Sequence, residues 1–144
     1  MAGVIYLNAR VLFATDADWA SPTQKFKVLL ATSDYQPKAS HRHVTDVTGE
    51  LTGKGYKRKL VRNRSVRANE ARNVADCCAA AIKLEGLATK ESYQWLVVYR
   101  EGPDDLRSDL ICAVDMGHVP LTDVGTHEIR WDGAENEGRV FSLQ

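Results

Sequence analysis

The sequence predicts an all-β chain, folded as a single-domain, jelly-roll-like β-sandwich of eight to nine short antiparallel strands. Three observations predict it. Apolar residues recur with a period of two rather than 3.6. The apolar runs are short, spaced at about 8–15 residues, and punctuated by Gly, Pro and Asp. The chain has 144 residues, 44% hydrophobic and 26% charged, which suffices for one core without disulfides or metals.

The elements follow in order. Val4 to Phe13 reads as a first strand, apolar but interrupted by Asn8 and Arg10. It has no basic leader ahead of the apolar run, so it reads as a strand rather than a signal peptide. Whether residues 1–25 join the sandwich or reach out as an N-terminal arm is left open. Phe26 to Thr32 is a second strand, entered after the Ser21-Pro22 turn. Val44 to Leu51 alternates valine and threonine, residues that suit a pleated, half-buried surface. Gly53 and Gly55 flank Lys54 as a turn, and Tyr56 to Val66 follows as a very basic strand. The alanine-rich stretch from Asn69 to Ala88 is ambiguous. Asn69 is a cap candidate and Gly86 a stop, which leaves a short helix near 69–83. The favoured alternative is a loop, then a strand from about Ala79 to Leu87 with Lys83 and Glu85 outward. Tyr93 to Glu101, Leu110 to Met116, His127 to Trp131 and Arg139 to Leu143 complete the set.

Thirteen positions form the expected interior: Phe26, Val28, Leu30, Trp95, Val97, Tyr99, Leu110, Cys112, Val114, Ile129, Trp131, Val140 and Phe141. Strict alternation requires Val140 or Phe141 to face outward.

No segment approaches the 18 or so apolar residues of a membrane span. The formal charge is zero, from 19 Lys+Arg and 19 Asp+Glu, but the charges are unevenly placed. Residues 1–75 carry 13 basic and 6 acidic side chains, and residues 76–144 carry 6 and 13. Eight of the basic ones fall together: Lys54, Lys57, Arg58, Lys59, Arg62, Arg64, Arg67 and Arg72, with Glu70 the one acid among them. The acidic excess is spread over turns such as Asp104-Asp105 and residues 135–137. The pattern is thus a basic stripe on an otherwise acidic domain. Tyr56 is the one aromatic in the stripe, which argues against a single-strand stacking platform. Lysines also blunt an edge strand, and a docking surface for an acidic partner is the remaining reading.

Other chemistry has weaker support. The glycines around Lys54 do not match a phosphate loop, which needs four residues between its first Gly and the Gly-Lys pair. His41 and His43 share a strand face if that segment is extended, but no second pair completes a metal site. No Gly-x-Ser-x-Gly elbow is present. Asp16, Asp18, Asp104 and Asp105 sit where carboxylates usually cap backbone amides. Cys77, Cys78 and Cys112 are an odd set with an adjacent pair, a poor disulfide framework, and read as reduced. No catalytic residue, cofactor or metal is assigned.

Four stretches carry a resemblance: KVLLATSDYQP (Lys27 to Pro37), HVTDVTGELTGKGY (His43 to Tyr56), YQWLVVYREG with LICAVDMG, and the ending HEIRWDGAENEGRVFSL. In order and spacing they resemble a family of small structural proteins of tailed-bacteriophage virions. The Tyr56 to Ala79 stretch is more basic than the family pattern, and the Asn69 to Ala88 stretch also departs from it. The resemblance implies a non-enzymatic capsid cement or decoration protein, made in the bacterial cytoplasm and carried on the capsid surface. Its partners would be the major capsid protein and further copies of itself, as dimer or trimer. A head-completion or tail-associated part is the alternative, and a nucleic-acid-binding module using residues 54–72 ranks behind both. Besides the stripe, the loops Asp34 to His43 and Glu101 to Asp109 are expected to add contacts.

Overall fold

A computed structural model of the chain, described over residues 3–121, 125–133 and 137–144, places ten strands, every pairing antiparallel. In chain order these are β1 (Gly3–Ile5), the helix α1 (Leu7–Thr15), β2 (Phe26–Ala31), β3 (Lys59–Leu60), β4 (Ser65–Asn69) and β5 (Val74–Ala79). Then come β6 (Ile82–Leu87), β7 (Ser92–Arg100), β8 (Asp109–Pro120), β9 (Gly125–Ile129) and β10 (Gly138–Leu143). One sheet has the order β1-β8-β7-β2-β3, a second β10-β5-β4, and β6 pairs with β9. The fold is all-β and sandwich-like, as the sequence predicts. No helix among the described residues is long and apolar enough to cross a membrane.

The central strands are the plainest products of the pattern. β7 and β2 pair Val28 with Val98 and Leu30 with Leu96, and all four side chains are buried. Of the expected interior, all but Trp95 are buried, and Trp95 packs half-exposed against the core. Trp19 joins the two larger sheets. Its ring lies 4.8 Å from Phe26 of β2 and 5.1 Å, edge-on, from Phe141 of β10. Its indole N–H donates to the Cys78 carbonyl at 2.9 Å. A ring of this size buries roughly 150–250 Å², worth about 4–6 kcal/mol of gross transfer free energy, so this one side chain is a main tie across the seam.

Four expectations are corrected, and two open alternatives are decided. The first strand ends at Ile5, and Leu7–Thr15 is helix. Alternation would set Asn8 and Arg10 on the face of Val4 and Tyr6. A helix instead turns Tyr6, Ala9 and Phe13 inward together. From Gly3 on, the N-terminal segment belongs to the sandwich rather than to an arm: β1 pairs with β8, and Tyr6, Ala9 and Trp19 are buried.

Val44 to Leu51 is not a strand. Asp46 takes the amides of Arg42 and His43 on one carboxylate oxygen, at 2.8 and 3.1 Å, and curls Val44–Asp46 into a 3-10 turn. Backbone pairing with β2 is limited to an isolated bridge between Glu50 and Ala31, where the Leu51 amide donates to the Leu30 carbonyl at 3.0 Å.

Tyr56 to Val66 is broken at Asn63, whose φ is 53°, where the chain leaves one sheet for the other. In the alanine-rich stretch the favoured strand is present as β6, with Lys83 and Glu85 outward, and no helix forms. Asn69 accepts the Arg72 amide in a turn, and two strands follow. Helix propensity yields because β5 gains partners on both sides, β4 and β10. Val140 and Phe141 are both buried, because a bulge between Arg139 and Phe141 puts an extra residue into β10.

Candidate interaction surface

The stripe follows the edges of the sandwich. β3 is an edge of the five-stranded sheet and β4 an edge of the three-stranded one. Residues 61–64 pass directly between them, and the Arg62 carbonyl accepts the Ala80 amide at 3.0 Å. The eight cations meet different fates along this path.

Three are consumed by the fold. Arg58 donates to both oxygens of Glu50 at 2.8 Å and to both oxygens of Asp105 at 2.8 and 3.1 Å, and lies 5.5 Å over the Tyr99 ring. Those bonds, from Glu50 first and Asp105 second, push the Arg58 pKa above its ordinary value. The same bonds hold Asp105 below the usual carboxylate range. Arg64 points inward. It donates to the carbonyls of Trp19, Ser21 (3.1 Å) and Gln24 (2.7 Å), and its guanidinium sits 4.8 Å over Phe26. Burial draws its pKa down, against the pull of Asp18. Arg67 pairs with Glu137 at 2.7 Å.

The remaining five, Lys54, Lys57, Lys59, Arg62 and Arg72, have no ion pair among the described residues. Lys54, Lys57 and Arg62 are exposed and Lys59 is half-buried on β3. Tyr56, the aromatic of the stripe, is turned to structural use. Its hydroxyl donates to Glu50 at 2.7 Å and accepts the Leu30 amide at 3.0 Å. Arg72 leaves the group and lines a cleft with Arg10 and Arg139. Those two arginines were missed in the sequence. Their signal is a lone guanidinium inside an apolar run, in NARVLF and GRVFSL.

The other candidates separate as well. His41 and His43 turn to different partners: His41 Nδ1 lies 3.0 Å from the Tyr35 hydroxyl, and His43 Nε2 lies 3.8 Å from Asp109. No group of three metal-ligating side chains converges among the described residues. Tyr35 continues inward to the Tyr6 hydroxyl at 2.6 Å, and burial raises the pKa of both phenols. All three cysteines are free and buried, and burial pushes the Cys77 thiol up to about 12. Asp18 and Asp104 accept the backbone amides of Ala20 and Arg107, as expected of turn carboxylates. Asp16 instead pairs with Arg100 at 3.0 Å. Of the acidic turn at 135–137, residues 135 and 136 lie outside the described residues.

No family model, curated protein or solved structure matches the chain.

The two expected contact loops are braced rather than loose. In the first, Asp34 to His43, Tyr35 is buried and tied to Tyr6 and His41. In the second, Glu101 to Asp109, Ser108 Oγ accepts the Gly102 amide at 3.0 Å and donates to the Asp104 carbonyl at 2.8 Å. Exposed Leu106 tops that loop.

Proposed function

We propose that this protein is a non-enzymatic structural subunit of a tailed-bacteriophage virion, a capsid cement or decoration protein that binds between major capsid protein subunits. The observation that carries the reading is the sorting of the stripe. Arg58, Arg64 and Arg67 brace the sandwich, while Lys54, Lys57, Lys59 and Arg62 stay without ion pairs among the described residues. A rigid flank with uncompensated positive charge suits docking on an acidic surface. The resemblance of four stretches to phage virion proteins supplies the setting.

Such a protein works by binding energy. One standard interface buries about 800 Å² per partner. Many copies on one shell then hold their neighbours at high effective concentration, so modest contacts add by avidity. Charge pairing of this kind weakens as salt shortens its range.

The test uses heads of the source phage stripped of this protein. Adding the wild-type chain should raise the temperature at which the shells rupture. The triple variant Lys57→Glu, Lys59→Glu, Arg62→Glu should bind at least tenfold more weakly while keeping its own melting temperature. Shells that neither bind nor gain heat resistance would overturn the reading.

A further inference from the structure

The two larger sheets each end on a strand without a second neighbour, and those two ends face one cleft. Among the described residues β1 pairs only with β8, and β10 only with β5. Residues of both strands line a cleft of about 250 Å³. Its apolar lining includes Val114 and Phe141, and its charged lining is Arg10, Arg72, Arg139 and one acid, Asp132. Asp132 lies 3.4 Å from Arg139. Arg10 and Arg72 have no ion pair among the described residues, and both are exposed.

We propose that this cleft takes an extended acidic segment of a partner protein, added as a strand along the open edges of β1 and β10. Three features select that occupant. Open edges offer unpaired backbone amides and carbonyls, which bind an extended chain through its own main chain. Three guanidinium groups against one carboxylate call for anionic side chains, and arginine grips carboxylate in a bidentate fork. The volume falls below the roughly 300–1,000 Å³ of small-molecule sites, so it fits one or two side chains of a longer segment. The segment would place an apolar residue against Val114 and Phe141 and acidic residues beside Arg10, Arg72 and Arg139. This goes beyond the virion reading and does not depend on it, since the cleft uses other residues than the Lys57 to Arg62 flank.

The test is fluorescence anisotropy with a labelled Glu-Val-Glu-Val-Glu peptide, which extends about 17 Å, and a Lys-Val-Lys-Val-Lys control. The acidic peptide should bind at least tenfold more tightly than the control, and more weakly as salt rises. Arg10→Glu with Arg139→Glu should cost a further tenfold. Amide shift mapping on the wild-type chain guards against a variant that fails to fold: Gly3–Ile5 and Gly138–Leu143 should carry the largest shifts. No binding at millimolar peptide, equal binding of the two peptides, or shifts centred on Lys57 to Arg62 would overturn the proposal. So would saturable binding of a fatty acid in the cleft with none of the peptide.

Discussion

Arg64 shows how one side chain acts as a structural centre. It carries a charge into the seam and meets three backbone carbonyls and two aromatic faces there. Lysine cannot reproduce that fork, and hydrogen bonds to charged groups are worth roughly 1.5–3 kcal/mol each. Arg64→Lys should therefore lower the unfolding free energy by about 2 kcal/mol, read as a shift of the urea midpoint at constant slope. An unchanged midpoint would show that the three bonds add nothing net. Carboxylates set the acid response. The Ser142 hydroxyl and then the Asn69 amide hold Asp76 below the usual range, and the Arg42 amide does the same first for Asp46. A depressed carboxylate gives stability that is complete above its unfolded pKa, near 4. That stability is lost as pH falls through the lower folded value. The midpoint should thus fall on acidification below about pH 5, less steeply in Asp76→Asn. Thiol chemistry should be silent in the native state, since all three cysteines are buried and burial raises each pKa. A disulfide reagent at pH 8 should label them at least a hundredfold faster in denaturant. Fast native labelling would contradict the burial.

At the scale of elements, the turn between residues 53 and 56 makes a sharp test. Gly55 has φ +86°, and a Cβ there would meet the Gly86 carbonyl oxygen at 2.0 Å. Gly86, in the β6 bulge, has φ +71° with nothing within 4 Å of a new Cβ. Gly55→Ala should cost about 3 kcal/mol or more, from strain and clash together, and Gly86→Ala about 1 kcal/mol, from backbone strain alone. Thermal melts of the pair check the ordering, and equal losses would contradict the close approach. The strands legible in the sequence were those where apolar alternation met two flanking partners, such as Tyr93 to Glu101 against Ser92–Arg100. The illegible ones failed for local reasons. Val44 to Leu51 alternates correctly, but the Asp46 carboxylate competes for the backbone amides a sheet would use. Val140 and Phe141 are both buried because a bulge resets the alternation, and bulges leave little trace in sequence. The basic stripe was legible as composition, but its pairing was not. Arg58 and Arg67 find acids 47 and 70 positions away.

For the whole molecule, a net charge of zero conceals a division of labour. Paired cations tie strands and loops together, and those without an ion pair among the described residues mark two separate places, Lys57, Lys59 and Arg62 on the flank and Arg10 and Arg72 in the cleft. The N-terminal segment supplies the seam with Trp19 and Phe13, so a chain lacking residues 1–25 should not fold alone. A truncated chain with a cooperative melt would contradict that. The proposed cement role makes this domain a structural part of a virion head, present at many sites. Quantitative mass spectrometry of purified virus particles from the organism that encodes the chain tests that proposal. Hundreds of copies per particle, lost from the head in high salt, are expected. Absence from the particle contradicts it, and a dozen copies or fewer contradicts the cement role and assigns the protein to the neck or tail.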